Sequence, residues 1–85
     1  MYDSIEYIKS KNITSVVVEV FKTNVQTRTV AEMIIADLIQ LLPTARINFD
    51  LDDCDKILRI ESHHTCVHTI IGIVKSRGFQ CELLE

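Results

Sequence analysis

The apolar residues of this chain change their spacing in a fixed order, and that order limits the fold more than any other feature. Residues 15–21, Ser-Val-Val-Val-Glu-Val-Phe, are short and β-branched, as a central strand requires. Period two puts Val16, Val18 and Val20 on one face and Val17, Glu19 and Phe21 on the other. Over residues 30–42 the period becomes helical: Val30, Met33, Ile34, Leu38 and Leu41 share a face, opposite Arg28, Glu32, Ala36 and Gln40. Pro43 ends that helix. Residues 45–51 alternate strictly, with Ala45, Ile47, Phe49 and Leu51 on one side. An acidic turn, Asp52-Asp53-Cys54-Asp55, leads into a strand over 56–61, with Leu58 and Ile60 inward and Ile57, Arg59 and Glu61 outward. Residues 65–77 are helical again, burying Val67, Ile70, Ile71 and Val74. Gly78 stands where a left-handed helix cap is wanted, and a last strand covers 79–84.

The order β-α-β-β-α-β predicts an α+β, ferredoxin-like fold: a four-stranded antiparallel sheet with two helices on one face. Strands one and three lie at its centre. With 85 residues the chain makes one domain, assigned to 13–85. Residues 1–12 form an N-terminal extension in which Tyr2, Ile5 and Ile8 either fold back onto the sheet or belong to a frayed tail.

Composition narrows the functions. The net charge is −3 and Lys and Arg form no run, which argues against nucleic acid and against acidic membrane surfaces. No segment approaches the ~18 apolar residues of a membrane span, and no apolar stretch of signal-peptide length opens the chain. Cys54, Cys66 and Cys81 are an odd, widely spaced set without a CxxC pair, so a reducing, cytoplasmic setting is expected.

Three stretches carry a family resemblance. They are Phe21-Lys22-Thr23-Asn24-Val25 before an amphipathic helix, the hairpin over 50–61, and Ile70-Ile71-Gly72-Ile73-Val74-Lys75-Ser76-Arg77-Gly78-Phe79. Together they make residues 15–84 similar to a heavy-metal-associated domain, the small unit of copper chaperones and metal-pump tails. In that family the loop after strand one holds metal with two cysteines as CxxC. The matching positions here are Thr27 and Val30, and neither supplies a thiolate. The resemblance therefore implies the scaffold with a degenerate metal loop.

The polar loop Lys22-Thr23-Asn24-Val25-Gln26-Thr27-Arg28-Thr29 offers amides, hydroxyls and one guanidinium, poor ligands for a soft metal. An anion at the helix start is one reading of it. A capping box, with Thr29 as cap and Glu32 reaching back, accounts for the same residues. His64 and His68, four apart on a helix, would share a face and, with His63 or Cys66, could take Zn, Ni or Cu. Tetrahedral sites usually need a third ligand, which favours a plain polar helix face. Asp50, Asp52, Asp53 and Asp55 lack the glycine and terminal Glu of a calcium loop. Cys54 is expected exposed and Cys81 buried, neither activated. No nucleophile triad or Gly-rich phosphate loop is present, so enzyme activity is not expected.

The sheet face away from the helices is the more promising surface. Val17, Phe21 and Ile57 are expected there, with Glu19 paired to Arg59. A second surface is offered by Ile35, Ile39 and Leu42 on the first helix. The expected function is a non-catalytic protein-interaction or self-association module that takes no cofactor and binds a protein partner or forms a homodimer. Heavy-metal trafficking through His63, His64, Cys66 and His68 is the first alternative. A small-molecule regulatory domain is the second, by fold analogy.

Overall fold

The computed structural model describes residues 16–64 and 66–84. The extension assigned to 1–12 lies outside the described residues. The elements are β1 (Val17–Thr23), α1 (Arg28–Leu41), β2 (Arg46–Asp50), β3 (Ile57–Ser62), α2 (Val67–Ser76) and β4 (Cys81–Leu84). They form one four-stranded antiparallel sheet in the order β2-β3-β1-β4, the ferredoxin-like arrangement that the periodicity predicts.

The register shows which side of each strand carries the core. Phe21 stands opposite Leu58 on β3 and Leu83 on β4; Ile47 and Phe49 of β2 stand opposite Ile60 and Leu58. Phe21, Leu58 and Ile60 are buried, as are Ala31, Ile34 and Leu38 of α1 and Ile70 and Val74 of α2. One sheet face therefore packs against both helices. The other carries Arg46, Asn48, Asp50, Ile57, Arg59, Glu61, Val18, Val20, Lys22, Glu82 and Leu84 by alternation.

This reverses the expected faces of β1. Phe21 is fully buried on the helix side, not on the open face, and by alternation Val17 shares its side. Ile57 does lie on the open face, one residue from buried Leu58. Glu19 stands opposite Ile60 and Arg59 opposite Val20, so Glu19 and Arg59 start from opposite faces. The Arg59 guanidinium goes instead to Glu61, at 3.1 Å.

Helix α1 begins two residues earlier than expected. Its N-cap is Thr27, whose hydroxyl accepts a bond from the Val30 amide at 3.3 Å, in place of the predicted Thr29. Met33 and Leu41 on this helix are exposed, while Leu42, expected on a contact surface, is buried against the core. The helix stops ahead of Pro43 with the Leu42 amide bonded to the Leu38 carbonyl. At the end of α2, Gly78 has φ +89, the left-handed value its position predicts. Arg77 beside it donates two bonds to Asp37, at 2.8 and 3.0 Å, tying the end of α2 to α1.

Candidate functional site

The end of the domain where the resemblance places a metal loop is filled by the chain itself. Val25 is an apolar residue inside a polar stretch, and it is fully buried in the core. Thr23, two residues before it, is also buried. Its hydroxyl donates to the Lys56 carbonyl at 2.6 Å and accepts from the Val25 amide at 3.2 Å. The Thr23 amide donates to the Asp55 carbonyl, and the Asn24 side chain accepts from the Gln80 amide at 2.7 Å. The loop is thus bonded to the β2–β3 turn on one side and to the segment before β4 on the other. Thr27 and Val30 serve the helix cap, so the pair matching CxxC has a structural task. The sequence reading placed Thr23, Asn24 and Val25 in a polar loop and gave them no packing role, although a lone valine among polar residues was the available signal for one.

The facing turn is held just as closely. Lys56 adopts φ +46, unusual for a side chain of its size. Its amide bonds to the Asp53 carbonyl, its ammonium to the Leu51 carbonyl at 2.8 Å, and Asp53 accepts from the Asp55 amide. Asp53, Cys54 and Asp55 form the one group of three acidic, Cys or His residues close enough to share an ion among the described residues. Asp53 and Cys54 are exposed, and the group follows from the tight turn.

The histidines are not gathered. Helix α2 starts at Val67 with Cys66 at its N-cap position, so His64 precedes the helix and the shared helical face with His68 does not exist. His63, His64 and His68 are exposed and Cys66 is half-buried. The His64 amide donates to the buried Ser62 hydroxyl at 3.2 Å, which sets the bend leading into α2. Cys81 is buried, and burial pushes its thiol up to about 11 against a smaller opposing pull from Lys75. A protonated thiol there is packing, not a nucleophile.

The open sheet face is different in character. Val16, Val18 and Leu84 are 51%, 45% and 37% exposed, and Val20 and Ile57 beside them are half-buried. Arg59 and Glu61 pair with one another across this face. A shallow groove also runs between the first turns of α1 and strand β2, bounded by Arg28, Glu32, Ile35, Phe49 and Asp50. No helix of the described residues is long and apolar enough to cross a membrane. Comparison with models of known families, with curated proteins and with solved structures returns no match.

Proposed function

We propose that this chain is a small non-catalytic domain on the heavy-metal-associated plan, with a degenerate metal loop, and that it works by binding protein, copies of itself included. The observation that carries this reading is the exposed apolar strip Val16, Val18 and Leu84 on a sheet face that no described element covers. A solvated face of an antiparallel sheet ordinarily alternates to polar residues; here β1 presents Val18 and Val20 and β3 presents Ile57, beside the charged Arg59 and Glu61. The loop supports the same reading, because Thr27 and Val30, which match the metal-holding pair, supply no thiolate and are engaged in the cap of α1. The net charge of −3 favours a protein partner over nucleic acid, and three unpaired cysteines suit a reducing cytoplasm. This reading needs no cofactor. The histidine alternative loses its main support once His64 falls outside α2.

A photoreactive residue placed at Val18 tests this in the source cell, with Ala36 on the exposed side of α1 as the control. Discrete protein adducts from Val18 alone, abolished by Val20→Lys, are the expected outcome. Adducts equally abundant from both positions, or from neither, overturn the reading.

A further inference from the structure

We propose that a second copy of this chain pairs along the free edge of β2, antiparallel and centred on Asn48. This specifies the self-association arm of the interaction reading and rests on it. Among the described residues β2 is an outer strand, bonded to β3 on one side only. An open edge is a template for another strand unless the sequence blocks it. The sequence of this edge is Arg46-Ile47-Asn48-Phe49-Asp50: positive, apolar, polar, apolar, negative.

That order is complementary to its own reverse. In an antiparallel register about Asn48, Arg46 meets Asp50 of the second copy, and Asp50 meets the second copy's Arg46. Both pairs lie on the open face, with Asn48 on the two-fold axis. On the helix side Ile47 meets Phe49 of the second copy, again twice. Opposite charges and apolar side chains directly across a ladder are the pairs that stabilise it. Other pairings lose this match. A parallel register sets like charges side by side, and a two-residue slip leaves Asp50 with no arginine opposite.

A ladder of five residues is too short to hold a dimer alone, since stable interfaces bury about 1,200 Å² or more. The flank of α1 beside this edge supplies apolar area. Ile35 lines the groove with Phe49, and Ile39, one turn further along the same side of the helix, is 45% exposed. Pairing at β2 brings the two α1 helices alongside one another across the axis, with these isoleucines between them. The result is an isologous dimer with one continuous eight-stranded sheet, and its open faces remain available to a further partner.

Sedimentation equilibrium on the full chain tests the proposal with wild type, Arg46→Asp, Asp50→Arg and the double exchange. Wild type is expected to dimerise. By symmetry each single reversal turns two attractive pairs into two repulsive ones, which raises the dissociation constant about tenfold. The double exchange restores dimerisation, and an equimolar mixture of the two single variants forms a heterodimer. Arg46→Asp also faces Glu61 within its own chain, so far-UV circular dichroism and melting of each variant accompany the series. The mixing result is insensitive to a modest loss of stability. A wild-type monomer at millimolar concentration overturns the proposal. So does a dimer indifferent to all three variants, which moves self-association to another surface and leaves the interaction reading standing. Failure of that broader reading shows separately, in the crosslinking from Val18.

Discussion

Replacing Phe21 by Ala distinguishes the observed sheet faces from the reverse assignment by several kcal/mol. Phe21 has no exposed surface and stands in register with Leu58 and Leu83 on its two sides, so truncation leaves a cavity at the centre of the sheet. Loss of a buried Phe side chain costs about 3–5 kcal/mol. A domain of 85 residues has about 4–13 kcal/mol in total, so the variant is marginal. Val18, three residues away and 45% exposed, should lose about 0.5 kcal/mol or less on truncation to Ala. With a urea slope of about 1–1.5 kcal/mol per molar for a chain this small, Phe21→Ala lowers the unfolding midpoint by about 2 M or more, and Val18→Ala barely moves it. Phe21→Leu keeps most of the volume and stays measurable if the alanine variant does not fold. A surface-like cost for Phe21→Ala, about 0.5 kcal/mol or less, with a larger one for Val18→Ala, would refute the assignment of faces.

Three further outcomes follow from named contacts. Thr27→Ala should cost about 1 kcal/mol by removing the bond to the Val30 amide, whereas Thr29→Ala should be close to neutral in the same melt. In the native protein a thiol reagent at pH 8 should modify exposed Cys54 and leave Cys81 untouched until unfolding, because burial holds Cys81 near 11; equal labelling rates would contradict its placement. The Arg77 hydrogen bonds hold the Asp37 carboxyl below the usual Asp range. Its contribution to stability is therefore complete above the ordinary value of about 3.9 and is lost as pH falls through the lower folded value. Asp37→Asn should flatten that part of an acid denaturation curve, and an unchanged curve would show that the pair contributes nothing.

Much of the fold was legible because most elements carry a single clean period. Strict alternation in residues 45–51 and at Leu58 and Ile60 placed β2 and β3 correctly, and Ile70 and Val74 marked the buried side of α2. Strand β1 was harder because Val16, Val17 and Val18 make both faces apolar at its start. Its inward side is set further along, where Phe21, Thr23 and Val25 enter the core, and two of those three sit among polar neighbours. The cap of α1 was misplaced because Thr27 and Thr29 both suit the position; the Thr29–Glu32 pattern was the more conspicuous, yet the helix starts at Arg28. The His64–His68 spacing is meaningful only inside a helix, and α2 begins after His64. Thr23 was illegible for a different reason: its partner, the Lys56 carbonyl, lies 33 residues away and comes within reach only when β1 and the β2–β3 turn assemble.

The central claim, that the chain acts through its sheet and not through a metal, meets its most direct test in amide NMR of the reduced protein titrated with Zn²⁺, Ni²⁺ and Cu⁺. The prediction is no saturable shift at micromolar metal, in residues 22–30 or in residues 63–68. Stoichiometric binding focused on His63, His64, Cys66 and His68, or on the loop around Thr27 and Val30, would contradict it.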